Sequence, residues 1–79
     1  MRLDKYLKVS RLIKRRTIAK DACDSGRVKV NDKTARASLE VKVGDTIEIG
    51  FGDKKVLVKV VSIKETTKKD EASEMFEYL

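Results

Sequence analysis

The spacing of the apolar residues changes at Gly26, and this change restricts the chain to a mixed architecture. Before Gly26, Leu3 and Leu7 recur at an interval that places them on one side of an α-helix. After it, Val28 and Val30 alternate with polar residues, which is typical of strands. We therefore predict an α+β fold in which two short N-terminal helices pack on a small antiparallel β-sheet.

Two helices are predicted ahead of Gly26. The first covers residues 2–9, with Tyr6 on its apolar side and therefore packed in the core rather than stacked on a base. The second runs from about Thr17, as its N-cap, to Ser25, and Gly26 is the residue that ends it. Its expected apolar face comprises Ile18, Ala19, Ala22 and Cys23. The cysteine is interpreted as a small buried side chain.

Three tight turns divide the rest of the chain into strands. The turns are Asn31-Asp32, Gly44-Asp45 and Gly52-Asp53. The stretch 56–63 is rich in β-branched residues and predicts the strongest strand. Residues 65–79 are charged and show weak helical spacing. We predict one domain over residues 1–64, followed by a charged C-terminal tail or short helix over 65–79.

Positive charge is concentrated at the N-terminal end. Residues 1–20 contain eight basic side chains and one acidic side chain, whereas residues 21–79 contain 11 basic and 12 acidic side chains. The formal net charge of +6 therefore arises entirely in the first quarter of the chain. Such a one-sided field attracts polyanions, with nucleic acid as the first candidate and an anionic membrane surface as the second.

Three consecutive cations, Lys14, Arg15 and Arg16, lie just before the predicted start of the second helix. Cations at a helix N-terminus repel the positive end of the helix dipole. A bound phosphate reverses this balance, because the dipole, the free N–H groups and the guanidinium groups all attract it. The run therefore indicates a place for a bound anion. Other lysines are interpreted as solvated surface, namely Lys33, Lys42, Lys54, Lys55 and Lys59.

Several kinds of catalytic and cofactor site lack their usual residues. The chain has no histidine and one cysteine, which removes the commonest general base and ordinary zinc sites. It contains neither a GxxxxGK[ST] phosphate loop nor a GxGxxG turn. We predict a protein that is not an enzyme and uses no cofactor or metal. No apolar stretch approaches the roughly 18 residues of a membrane span, and the N-terminal region lacks a signal-peptide core, so we expect a cytoplasmic protein.

Four short motifs together resemble the S-four RNA-binding domain family over residues 1 to about 50. They are Arg2-Leu3-Asp4-Lys5-Tyr6-Leu7, Thr17-Ile18-Ala19, Gly26-Arg27-Val28-Lys29-Val30-Asn31 and Gly44-Asp45-Thr46-Ile47. Asp32 stands where the family often has glycine, and Arg15-Arg16 stands where it often has Ser-Arg. The basic run and the "TTKK…EA" tail are similar to the stand-alone branch of the family that acts in bacterial ribosome-associated quality control. A relative of that branch is the ribosome-associated heat-shock protein of fifteen kilodaltons.

The resemblance implies a role on the ribosome. Members of that branch bind large ribosomal subunits obstructed by peptidyl-tRNA, contact large-subunit rRNA and the tRNA, and support C-terminal alanine tailing by the partner RqcH without catalysing a reaction. A monomer without a membrane partner is expected. By position, Arg2 and Arg16 are the strongest candidates for phosphate contacts. The full set of candidate RNA-binding residues is Arg2, Lys5, Lys8, Arg11, Lys14, Arg15, Arg16, Lys20 and Lys29. Asp4 is expected to suit the helix dipole in the first turn.

Other functions stay open at this point. The residues alone reach only a binder of a structured polyanion, so a general structured-RNA-binding translation or ribosome-assembly factor is one alternative. A basic membrane- or protein-docking module is another, although the first helix is short and lacks bulky apolar residues facing outward. The same domain also occurs fused to pseudouridine synthases and tyrosyl-tRNA synthetases, but an enzyme fragment would need a catalytic domain that this chain does not contain.

Overall fold

The computed structural model describes residues 1–65 and 68–79, so the Thr66-Thr67 pair of the tail motif lies outside the described residues. Two helices come first, α1 (Leu3–Val9) and α2 (Arg16–Asp24). Four strands follow, namely β1 (Val28–Val30), β2 (Lys33–Thr34), β3 (Thr46–Phe51) and β4 (Lys54–Val60). The chain ends with a one-turn helix, α3 (Lys69–Ala72), and a last strand, β5 (Phe76–Tyr78). The predicted α+β class is confirmed.

The strands form one antiparallel sheet in the order β2-β1-β3-β4-β5. Val30 lies opposite Ile47, and Ile47 lies opposite Val58, so three buried side chains form a row across the inner face. The apolar sides of α1 and α2 join this face in a single core. Tyr6 of α1 is completely buried within it, as the sequence predicts.

Two of the predicted turns have the backbone geometry that tight hairpins require. Asn31 and Asp32 have φ angles of 52° and 68° and join β1 to β2 as a type I′ turn does. Their short polar side chains tolerate this left-handed conformation, so Asp32 can stand where the family often has glycine. Gly52, with a φ of 58°, begins the two-residue loop between β3 and β4.

The start of α2 differs from the prediction. The N-cap is Arg15 rather than Thr17, and no side chain caps the helix. Ile18, predicted on the apolar face, is 53% exposed. It lies about 100° around the helix from Ala19 and falls outside the narrow buried stripe. The other three members of the predicted face are buried, namely Ala19, Ala22 and Cys23.

The end of α2 follows the prediction. Gly26 has a φ of 83°, and its N–H donates to the carbonyl of Cys23 at 3.0 Å. The N–H of Arg27 donates to the carbonyl of Ala22 at 3.0 Å. These are the two hydrogen bonds of a Schellman motif, which places glycine in the left-handed conformation and turns the chain out of the helix into β1.

The last residues of the chain add a strand to the sheet, which the sequence did not predict. Phe76 lies opposite Val60 and Tyr78 lies opposite Val58, and Met75 just before them is fully buried. The weak helical spacing of Ala72, Met75, Phe76 and Leu79 predicted a tail or short helix here, but the helix ends at Ala72 and Phe76–Tyr78 form β5. A strand of three residues is too short to show alternation clearly. The division of the chain into residues 1–64 and 65–79 stays a prediction.

Candidate nucleic-acid interface

A concave surface, here called the basic groove, lies between α1, the connection after it and the start of α2. Its volume is about 570 Å³. It is lined by Lys5, Lys8, Val9, Arg11, Lys14, Arg16 and Glu65. Five of the nine predicted RNA-binding residues are therefore brought to one surface, although they come from three different segments of the chain.

The connection between α1 and α2 folds back, so that Arg11 and Lys14 lie beside α1. Arg11 has a φ of 63° just after α1 ends, and its N–H donates to the carbonyl of Lys8 at 3.0 Å. Ile13 is buried, and its N–H donates to the carbonyl of Leu7 at 3.0 Å. Glycine would adopt the left-handed conformation at Arg11 with less strain. A cation thus lines the groove at a backbone position that does not favour its side chain.

The start of α2 lies beside this groove without the groups that normally satisfy a helix terminus. Its N-cap, Arg15, supplies no capping hydrogen bond, and its first turn has no acidic residue. The first N–H groups of any helix lack an acceptor within the helix. Arg15 and Arg16 add positive charge at the positive end of the dipole. A bound anion would relieve both the unpaired N–H groups and the repulsion.

Arg2 and Arg16 are joined through a buried carboxylate. Asp4, whose side chain is 3% exposed, accepts from Arg2 Nε at 3.2 Å and Arg2 Nη2 at 3.4 Å. Its Oδ2 also lies 3.4 Å from Arg16 Nε. The backbone N–H of Lys5 donates to the same carboxylate at 2.8 Å. The two arginines that the family motif singles out are therefore neighbours in the folded protein.

The role of Asp4 is one that sequence reasoning missed. It was expected to act only on the dipole of α1, but the structure places it between the helices. A signal was present, because Asp4 lies next to Leu7 on the helical wheel and so borders the buried stripe. An acid in that position needs a partner of opposite charge, and Arg2 and Arg16 supply two.

Glu65 adds an acidic side chain to the basic groove. Its carboxylate pairs with Lys5 Nζ. The hydrogen bond and the charge of Lys5 lower the pKa of the Glu65 carboxyl. Glu65 therefore stays ionised at neutral pH and offsets the charge of Lys5 within the groove.

The remaining cations of the first 20 residues have no such partner. Within residues 1–65 and 68–79, no hydrogen bond or ion pair is made by the side chains of Lys8, Arg11, Lys14, Arg15 and Lys20. All five are exposed. Unpaired surface cations are the groups that exchange counterions for phosphates when a protein binds nucleic acid. Among the described residues, these five side chains are therefore left without an internal ion pair and can pair with a group outside the protein.

Lys29 is the member of the predicted set that lies elsewhere. It alternates with the buried Val28 and Val30 on β1 and so points away from the core. Its neighbours across the sheet are Thr34 on β2 and Glu48 on β3. The structure does not bring Lys29 to the basic groove. Contact of any of the nine residues with RNA stays a prediction.

A second groove lies beside the β1–β2 hairpin and has a volume of about 760 Å³. Its charges are mixed, because Lys33, Arg36 and Lys42 share it with Glu40 and Asp45. Glu40 pairs with the N-terminal amine at 2.7 Å, and Asp45 accepts from the Lys42 N–H at 2.9 Å. The mixed signs make this groove a weaker match for a polyanion than the basic groove.

The described part of the chain offers little for metal or thiol chemistry. In residues 1–65 and 68–79, no three histidine, cysteine, aspartate or glutamate side chains gather closely enough to hold a metal ion. Burial, with smaller effects from the charges of Asp24 and Asp4, raises the pKa of the Cys23 thiol to about 11. The thiol therefore stays protonated at neutral pH. Within the same residues, every helix falls short of the length and apolar character needed to cross a membrane.

Comparison with known proteins identifies close relatives. The family model of the S4 domain matches residues 1–47. The chain is 57% identical to the RQC P-site tRNA stabilizing factor of Streptococcus pneumoniae, with 100% of this chain and 90% of that protein aligned. It is 56% identical to the protein of the same name from Bacillus subtilis, with 100% and 92% aligned.

A solved structure shares the whole fold. Heat shock protein 15 of Vibrio cholerae, described as trimeric, superposes with a TM-score of 0.93 at 26% sequence identity. The match covers 100% of this chain and 81% of that one. The arrangement of the helices and the five-stranded sheet is therefore one that has been seen before.

Proposed function

This chain belongs to the S4 domain family, among relatives named RQC P-site tRNA stabilizing factors, and from that premise we propose that it binds rRNA and peptidyl-tRNA on ribosomes in quality control. It acts as a binding protein and not as an enzyme. It works in the cytoplasm, where ribosomes translate. The nine residues predicted from the sequence supply the RNA contacts, with Arg2 and Arg16 as the main phosphate contacts and Lys29, which lies outside the basic groove, at the rim.

The basic groove is the observation that carries this proposal. Five cations line it, and the uncapped start of α2 lies beside it. Phosphate groups fit such a surface, because guanidinium and ammonium groups pair with them and helix N–H groups point at them. Tyr6 is fully buried, so it is not available to stack on a base. A surface of cations without a stacking ring recognises a folded RNA by the position of its phosphates.

The more specific role is simultaneous binding of two RNAs. On a large subunit obstructed by peptidyl-tRNA, contacts to both rRNA and tRNA would hold the tRNA in the P site. RqcH, the elongation partner, could then add alanine to the nascent chain. The protein acts only by holding the tRNA in position, as a monomer and without a cofactor. No membrane contact is part of this role.

The first experiment is a pull-down of the tagged protein from a bacterial lysate at low salt, with Arg16→Ala and Lys55→Ala compared with the wild type. Lys55 is a matched control, because it is an exposed lysine on β4 that lines neither groove. We expect large subunits carrying peptidyl-tRNA in the wild-type and Lys55→Ala fractions and a strong loss with Arg16→Ala.

Three results would contradict all or part of the proposal. Capture of free tRNA, messenger RNA or assembly intermediates instead of obstructed subunits would indicate a general structured-RNA-binding translation or assembly factor. Binding to anionic liposomes with no ribosomal RNA in the pull-down would indicate the membrane-docking alternative. Loss of subunits with both variants alike would show that Arg16 has no particular role.

A further inference from the structure

Asp4 is the acidic side chain that lies closest to the two arginines of the proposed interface. Its side chain is 3% exposed, so it is almost completely removed from water. Burying a carboxylate is unfavourable unless charged and hydrogen-bonding partners surround it. Here the partners are Arg2, Arg16 and the backbone N–H of Lys5. The question is why a surface proposed to bind a polyanion has a buried carboxylate beside it.

Asp4 contacts only part of each guanidinium group. Asp4 lies against Nε of both arginines, with Nη2 of Arg2 as a further contact. The arginine side chains are themselves half-exposed, at 48% and 49%. The carboxylate therefore occupies the edge of each guanidinium group that carries Nε. The remaining N–H donors stay accessible to a ligand.

An arginine that is already held by Asp4 loses less conformational entropy when it binds a ligand. A free arginine side chain has many rotamers, and fixing it on a ligand costs conformational entropy. Guanidinium groups that are already oriented lose less of that freedom when a phosphate arrives. The two arginines come from different helices, since Arg2 is the N-cap of α1 and Arg16 begins α2. Asp4 therefore also sets the position of one relative to the other.

We propose that Asp4 is a positioning residue that holds Arg2 and Arg16 as a preformed pair for phosphate groups of a folded RNA. This inference rests on the proposed RNA-binding function and deepens it. The negative charge of Asp4 beside the interface is therefore expected to strengthen binding to RNA. Charge alone gives the opposite sign, because removing an acid makes the surface more positive.

The test compares Asp4→Asn with Asp21→Asn. Both substitutions remove one negative charge and keep the shape of the side chain. Asp21, however, is exposed on α2, and its carboxylate forms no hydrogen bond or ion pair with Arg2 or Arg16. Two probes are used, large ribosomal subunits carrying peptidyl-tRNA and unstructured poly(U) RNA. We expect Asp4→Asn to weaken binding to the subunits by about tenfold while poly(U) binding is unchanged or tighter. Asp21→Asn should weaken neither.

A thermodynamic cycle between Asp4 and the arginine pair separates loss of positioning from general damage to the fold. If Asp4 acts through the arginines, then Asp4→Asn should add little further loss to a chain that already carries Arg2→Gln and Arg16→Gln. An equal loss in both backgrounds would overturn the proposal. So would tighter binding of Asp4→Asn to the subunits, because that is the result that charge alone produces.

A measurement on the wild-type protein covers the case in which Asp4→Asn does not fold. NMR relaxation of the arginine Nε–Hε groups should show Arg2 and Arg16 ordered before any RNA is added, and Arg11 and Arg15 mobile. Equal mobility of all four would overturn the proposal. If the wild type binds neither probe, the proposed function itself fails. If it binds the subunits but Asp4→Asn binds as well or better, only the role of Asp4 fails.

Discussion

The Tyr6 hydroxyl donates a hydrogen bond of 2.7 Å to the backbone carbonyl of Met75, although 69 positions separate the two residues in sequence. Both side chains are completely buried. The bond ties α1, which carries part of the basic groove, to the segment that leads into β5. The surface proposed for RNA and the end of the chain therefore depend on one core.

We expect Tyr6→Phe to lower the free energy of unfolding by about 1 kcal/mol and to leave RNA binding unchanged. The loss is modest because the Met75 carbonyl also accepts from the N–H groups of Val61 and Ser62, at 2.8 and 3.1 Å, and so stays paired. Urea denaturation measures the first quantity and a filter-binding titration the second. Reduced RNA affinity at full stability would mean that Tyr6 contacts RNA after all.

Met75→Ala should destabilise the protein more strongly, by about 2–5 kcal/mol, because it removes a fully buried side chain and leaves a cavity. Met75 lies beyond residue 64, within the stretch that the sequence predicts as a tail. Thermal unfolding of Met75→Ala beside Glu77→Ala, an exposed position on β5, gives the comparison. A loss no larger than that of the control would support an independent tail over residues 65–79.

The salt dependence of RNA binding should report Arg16 directly. If four to six phosphates are engaged, the logarithm of affinity should fall against the logarithm of salt concentration with a slope of about −3 to −5. Arg16→Ala should reduce that slope by about one, since one phosphate contact is lost. Lys55→Ala should keep the wild-type slope. An unchanged slope for Arg16→Ala removes Arg16 from the phosphate contacts.

Removing the acid from the basic groove should strengthen binding. Glu65 is ionised and pairs with Lys5, so it competes with phosphate for that lysine. We expect Glu65→Gln to tighten RNA binding by about two- to fivefold at low salt, with the gain fading as salt screens the charge. Glu77→Gln removes the same charge from β5 and should change affinity less. Equal gains from both variants would reflect net charge alone.

The free energy of unfolding should fall as the pH rises from 8 to 10, because the Cys23 thiol has a higher pKa in the folded than in the unfolded state. Burial raises the pKa of its thiol from 9.0 to about 11, so the unfolded chain loses this proton first. The folded state then binds more protons, and the free energy of unfolding decreases with pH, by about 1 kcal/mol over this interval. Urea denaturation at pH 8 and 10 should show a smaller decrease for Cys23→Ala. An identical decrease in the two proteins would assign it to other groups.

Much of the fold could be predicted from local patterns. The change of apolar period at Gly26 indicated helices followed by strands, and Gly26 itself ended α2 as predicted. Asn31-Asp32 produced the tight turn that its chemistry favours. The uneven charge singled out the first 20 residues, and five of the predicted cations line one groove. These signals act within one turn of helix or one hairpin, so residues close in sequence carry them.

Contacts between distant segments were decided only by tertiary structure. The burial of Asp4 between Arg2 and Arg16, the place of Glu65 in the groove and the pairing of β5 with β4 each depend on residues that come together when the core packs. Helical spacing misplaced Ile18, because the width of a buried stripe depends on the neighbouring helix as well as on the helix itself. Local sequence patterns predicted α1, α2, the hairpin turns and the sign of the charge on the N-terminal surface, but not β5. Which charges pair and which stay accessible was determined by packing, because a buried carboxylate is stable only where cations reach it, and Arg16 reaches Asp4 from the second helix.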